Sequence, residues 1–101
     1  MAHRVRLHPV ARADLFGLYD YIAAHSGFER ADGYLARIER SIRGLADFPE
    51  RGSPREDIAP GLRTTAMERR VLVAYRIEAE DVVVLRVLYA GRDFGSEDVP
   101  G

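Results

Sequence analysis

Two β-type runs near the C-terminus constrain the fold more than any other part of the sequence. Residues 71–77 (VLVAYRI) and 82–89 (VVVLRVLY) are rich in β-branched and aromatic residues, and only Glu78-Ala79-Glu80-Asp81 separates them. A break so short and polar reads as a hairpin loop, so the runs are expected to pair as antiparallel strands. Arginines interrupt both, at Arg76 and Arg86, and Arg92 follows the second. A sheet buried on both faces would not carry them. A four-residue loop would put Arg76 and Arg86 on opposite faces and a five-residue loop on the same one, so their facing stays open at this point.

Upstream, residues 5–7 are a short strand candidate, after which the apolar spacing becomes helical. Leu15, Leu18, Tyr19 and Ile22 fall three and four apart and form one stripe. This predicts a helix over 9–25, opening at Pro9, where proline is tolerated in a first turn, and closing near Ser26-Gly27. Ser26 with Glu29 matches a capping box, which would start a second helix over 27–47 at once. Ala31, Leu35, Ile38, Ile42 and Leu45 mark its buried side, and Asp47-Phe48-Pro49 closes it. Two helices joined so closely must lie antiparallel, and the C-terminal sheet supplies the surface that their stripes cover. Residues 49–60 (PERGSPREDIAP) read as a surface loop, and residues 61–65 (GLRTT) as a short strand pairing with the hairpin. The expected class is α+β, with an N-terminal strand and helical hairpin packed on a small antiparallel sheet, in a single domain spanning residues 1–101.

Composition excludes several chemistries. The chain has no cysteine, hence no disulfide staple, thiolate catalysis or cysteine metal site. His3, His8 and His25 suit surface or capping roles and not a metal site, and no cofactor is implied. His25 beside Ser26 lacks a third orienting group, so it is no catalytic pair. The acids Asp14, Asp20, Glu29, Asp32 and Glu39 are expected to solvate the outer helix faces, pairing there with Arg30, Arg37, Arg40 and Arg43. All 15 basic residues are arginine, a side chain whose planar fork suits carboxylates and phosphates, yet the net charge is only −1. No global field draws the protein to nucleic acid. With no apolar run of signal-peptide or membrane-spanning length, the chain reads as soluble and cytoplasmic.

Several segments carry a resemblance. They are Ala11-Arg12-Ala13-Asp14-Leu15 opening the first helix, residues 19–24 (YDYIAA) ending it, Phe48-Pro49-Glu50-Arg51-Gly52, Pro60-Gly61-Leu62-Arg63, and residues 84–93 (VLRVLYAGRD). Their order and spacing over nearly the whole chain resemble the RelE/ParE superfamily of bacterial type II toxin-antitoxin toxins, closest to the ParE branch. The resemblance implies either of two activities. ParE-like members poison DNA gyrase by binding, whereas RelE-like members are ribosome-dependent mRNA endonucleases. The two lysines of the RelE pattern fall at about Arg63 and Thr65, the strand arginine at about Leu72 and the C-terminal tyrosine at about Asp98. Only Arg92 matches in type, although Arg69 and Arg70 lie close to the missing strand arginine. The expected function is therefore a binding toxin without catalytic residues of its own. The endonuclease is the alternative, and a non-toxic interaction module comes third.

The resemblance also implies a ParD-like antitoxin whose flexible segment folds onto the toxin, which suits an apolar groove rimmed by charge. Val10, Phe16, Tyr21 and Tyr34 extend the helical stripe and are groove candidates, to which Arg63 and Arg76 are added from the sheet. Arg86, Tyr89, Arg92 and Phe94 are the candidates for target binding and toxicity, because arginine and aromatic side chains recur there at the end of a strand.

Overall fold

The computed structural model describes residues 3–89 and 93–100, and the 71–89 hairpin lies near the middle of its sheet. Strands β4 (Val71–Glu78) and β5 (Asp81–Tyr89) run antiparallel with Glu78 opposite Asp81. The turn is therefore only Ala79 and Glu80, tighter than the four-residue break expected, and Ala79 reaches it by adopting φ 56°. Beside β4 lies β3 (Leu62–Met67), and beside β3 the short β2 (Ser53–Pro54), which forms inside the segment expected to be only loop.

On the other side of β5, β1 (Arg4–Leu7) pairs in parallel, giving the order β1-β5-β4-β3-β2. The sheet is thus mixed, not wholly antiparallel, and has five strands rather than four. The register of β1 is pinned electrostatically: Arg4 Nε and Arg6 Nε donate to the two carboxylate oxygens of Asp81 at 3.1 and 2.7 Å.

After β1 the chain enters α1 (Pro9–Ser26), with His8 as the cap whose Nδ1 accepts from the Val10 N–H at 3.1 Å. Helix α2 (Phe28–Arg43) follows after one residue. That residue is Gly27 at φ 93°, a conformation that a side chain resists, and its N–H closes α1 on the Ala23 carbonyl. Ser26 remains inside α1, so the expected capping box with Glu29 does not form. A turn of 3₁₀ helix at Gly44–Ala46 ends α2 short of residue 47.

Both helices cover one face of the sheet. Leu15, Leu18, Leu35, Ile38 and Ile42 pack against Val71, Val73, Tyr75, Val82, Val84 and Val87. The opposite face is covered as well. Leu62, Ala74, Val83 and Leu85 lie beneath Ile58 and Ala59 of the loop and beneath Phe94 and Val99 of the C-terminal segment. Among the described residues, no helix is long and apolar enough to cross a membrane.

A bulge settles the facing of the strand arginines. From the turn, Arg76 opposes Val83 and Tyr75 opposes Val84, but Ala74 opposes Arg86, so Leu85 is the extra residue. Without it Arg86 would oppose Val73 on the helix-covered face. With it Arg86 shares the side of Ala74 and Arg76.

Candidate functional site

Two of the concave regions among the described residues are lined by both helices. The first is a groove of about 550 Å³ between the helices, with Leu7, Leu15 and Leu35 as its floor. Phe16 stands at its edge, 67% exposed, and the acids Asp20, Asp32 and Glu39 face a lone arginine, Arg12, around it. The Tyr19 hydroxyl donates to Asp32 at 2.8 Å, and this hydrogen bond to a carboxylate pushes the phenol pKa up. Val10, at the start of α1, is partly exposed.

The second is a cleft of about 450 Å³ where the end of α1, the start of α2 and the end of β5 meet. Tyr21, Tyr34 and Tyr89 converge here with His25. The Tyr21 ring lies 4.2 Å from His25 and 5.8 Å from Tyr89, centroid to centroid. Tyr34 donates to the Glu68 carbonyl at 3.3 Å, and burial pushes its phenol pKa up. Arg37 lies over the Tyr34 ring at 5.6 Å while its Nε donates to the Glu68 carboxylate at 2.7 Å. Residues expected to serve the antitoxin (Tyr21, Tyr34) and the target (Tyr89) thus share one cleft, while Phe16 belongs to the other region.

The arginines have different surroundings. Arg86 is nearly buried and fully engaged: Nε and Nη2 donate to the two oxygens of Asp14 at 2.8 and 3.1 Å, and Nη1 donates to the Asp98 carbonyl at 2.9 Å. The hydrogen bonds to Asp14 favour the charged guanidinium and raise its pKa. Asp14 also accepts the Val87 N–H at 2.9 Å, a donor left bare because β1 ends opposite Val84. Asp14 was expected to solvate an outer helix face. It instead substitutes for a missing strand and ties α1, β5 and the C-terminal segment together. A strand arginine next to the end of so short a partner strand was the available signal, but the bulge that directs it is not visible in the sequence.

Arg63 donates to the Glu50 and Gly52 carbonyls at 3.2 and 2.7 Å, anchoring the loop. The stem of Arg76 runs close to Gly61, and its Nε lies 3.5 Å from Glu78 without hydrogen-bond geometry. Neither arginine lines a cleft of the helix hairpin. Phe94 packs on the sheet face opposite the helices, and Arg92 lies outside the described residues. Among the described residues, no ion pair joins the helix acids to Arg30, Arg37, Arg40 or Arg43; Arg37 reaches Glu68 and Asp14 reaches Arg86 instead.

Of the positions corresponding to the RelE pattern, Arg63 and Thr65 fall on the helix-covered side of the sheet and Leu72 on the other. Thr65 opposes Val73 and Leu72 opposes Leu88, while Asp98 accepts the Gly95 N–H at 3.0 Å. Arg69 and Arg70 are exposed in the turn between β3 and β4. Among the described residues, no three histidine, aspartate or glutamate side chains cluster as metal ligands would.

Comparison with known proteins places this architecture. The chain is 38% identical to the toxin ParE3 of Caulobacter vibrioides over 88 residues, 87% of this chain and 86% of that protein. It is 31% identical to the toxin ParE1 of Mycobacterium tuberculosis over 94 residues, 92% and 95% of the two chains. The fold matches a chain of the chromosomal ParDE toxin-antitoxin system of P. aeruginosa with TM-score 0.78 at 24% identity, over 88% of this chain and 97% of that one. A chain of the RelBE2 toxin-antitoxin complex of Mycobacterium tuberculosis matches with TM-score 0.68 at 27% identity, over 88% and 99%. The family described as the ParE toxin of the type II toxin-antitoxin system parDE matches residues 5–94, nearly the full length of the α+β core, and the chain belongs to that family.

Proposed function

We propose that the protein inhibits growth by binding and poisoning DNA gyrase, and that a cognate ParD-like antitoxin neutralises it. Membership of the ParE family across residues 5–94 carries this reading. The geometry supports an antitoxin that folds on binding. The inter-helix groove has an apolar floor, a charged rim and an exposed aromatic at Phe16, which is what an amphipathic helix needs in order to gain on docking what it loses in ordering. An extended continuation would cross the second cleft at Tyr21 and Tyr34, burying a standard interface of roughly 1,600 Å² or more. Target binding falls to the C-terminal residues, with Tyr89 on the helix side of the sheet, Phe94 on the other, and Arg92 between them in sequence. Arg86 acts there by holding the β5 edge in place, because its donors are already engaged by Asp14 and Asp98.

The protein acts by binding and not by RNA cleavage in this reading, since two cationic positions and the general-base position of the endonuclease pattern are held by Thr65, Leu72 and Asp98, none of which supplies the group needed there. A supercoiling assay with purified gyrase tests it: the toxin should block supercoiling or trap cleaved DNA, and the antitoxin should reverse the effect. Ribosome-dependent mRNA cleavage with gyrase unaffected would overturn it. Phe16→Ala should weaken antitoxin binding by about 1 to 3 kcal/mol, read by calorimetry, if that ring is an anchor.

A further inference from the structure

We infer that the cleft between the end of α1, the start of α2 and the end of β5 binds a nucleotide unit, a planar base with its phosphate. This reading is independent of the gyrase proposal. Tyr21, His25, Tyr34 and Tyr89 bring four aromatic rings into one cleft of about 450 Å³, within the size range of small-molecule sites. Tyr21 is 51% exposed, so part of this aromatic surface is open. His25 is held in orientation, because its Nδ1 donates to the Tyr21 carbonyl at 2.8 Å. Bases of every sequence stack on such platforms.

Charge selects the guest. Arg30 and Arg37 line the cleft against a single acid, Glu29. Arg37 is engaged by Glu68 yet half exposed, and Arg30 has no ion-pair partner among the described residues. Two guanidinium groups repel a cationic guest and gain nothing from an aliphatic one, whereas a phosphate attached to a stacked base meets both needs. Among the described residues, the positions corresponding to the endonuclease pattern (Arg63, Thr65, Leu72 and Asp98) do not line this cleft.

The test is a titration of the whole ¹⁵N-labelled chain, followed by backbone amide shifts. Thymidine monophosphate should give saturable shifts at Tyr21, Gly33 and Tyr89, while thymidine or inorganic phosphate alone binds at least about tenfold more weakly. Tyr21→Ala and Arg30→Gln, both at exposed side chains, should each weaken binding about tenfold, and Arg40→Gln on the outer face of α2 should leave it unchanged. A short oligothymidylate that binds more tightly than the mononucleotide identifies single-stranded nucleic acid as the source, and equal binding identifies the free nucleotide; either supports the site. Three results overturn it: no saturable shift with mononucleotide or oligonucleotide, phosphate alone binding as well as the nucleotide, or unchanged binding in both cleft variants.

Discussion

Gly52 is a residue whose identity is dictated by two neighbours, the Tyr75 side chain and the Thr64 carbonyl. Tyr75 is fully buried, and its hydroxyl donates to the Pro49 carbonyl at 2.7 Å while accepting the Gly52 N–H at 2.8 Å. That bridge draws the loop so close that a Cβ on Gly52 would lie 2.7 Å from the Tyr75 hydroxyl and 2.9 Å from the Thr64 carbonyl. The backbone oxygen cannot move aside without disturbing the β2–β3 pairing. Gly52→Ala should therefore cost about 1 to 3 kcal/mol in urea unfolding, the range for overpacking a tight site. Combined with Tyr75→Phe, which removes the nearer oxygen, it should cost clearly less than the sum of the two single changes. Additive losses would mean that the hydroxyl is not what excludes a side chain here. The motif Phe48-Pro49-Glu50-Arg51-Gly52 stood out in the sequence as part of a family pattern, but its physical reason lies in a tyrosine on β4 that no local reading connects to it.

At the scale of elements, the weak points of the sheet are where β1 ends too early and where it begins. The early end is repaired by Asp14, which takes both the bare Val87 N–H and the Arg86 guanidinium. Asp14→Ala leaves a nearly buried cation and a backbone donor without their partner. It should destabilise the fold by about 2 to 4 kcal/mol, below the upper range for fully buried pairs because some solvent contact remains. A loss under about 0.5 kcal/mol, the size expected of an ordinary surface change, would reduce the pair to surface decoration. The start of β1 depends on Asp81, whose carboxyl is held below the usual range first by the hydrogen bond from Arg6 and then by the charge of Arg4. Because the folded pKa is the lower one, this contribution is complete above the unfolded value of about 3.9 and is lost as pH falls through the folded value. The stability gap between the wild type and Asp81→Asn should accordingly be present at neutral pH and close in acid. A gap that persists unchanged through the acid range would show that the side chain acts by shape and not by charge. Helix existence and strand pairing were legible because 3.6- and 2-residue periods survive in any sequence that must bury one face. The parallel direction of β1, the bulge at Leu85 and the retention of Ser26 inside α1 in place of a capping box were not, since each depends on partners distant in the chain or on backbone conformation.

For the whole molecule, the sheet is covered on both faces, and this changes what the C-terminal residues do. Arg86, Tyr89, Arg92 and Phe94 were grouped in the sequence as the candidates for target binding and toxicity at the end of a strand. In the fold Tyr89 lines a cleft, Arg86 clamps two layers, and Phe94 with Val99 covers Leu62, Ala74, Val83 and Leu85. The grouping came from proximity along the chain, and in space the bulge and the packing of Phe94 on the opposite sheet face set Arg86, Tyr89 and Phe94 apart. A truncation after Asp93 therefore removes a cover as well as a binding surface. It takes away two apolar side chains, each contributing up to about 1.5 to 3 kcal/mol when fully buried, together with the Asp98 carbonyl that receives Arg86. The truncated chain should lose about 2 to 4 kcal/mol, expose enough apolar sheet to bind a hydrophobic dye, and show a lower unfolding midpoint. Arg92→Ala should leave the stability unchanged while abolishing growth arrest if that arginine contacts the target. A truncation with wild-type stability would mean that the tail is not part of the fold's support, and loss of stability in Arg92→Ala would make that arginine structural. With both variants measured for unfolding and growth arrest side by side, loss of toxicity through loss of fold is distinguished from loss of toxicity at an intact surface.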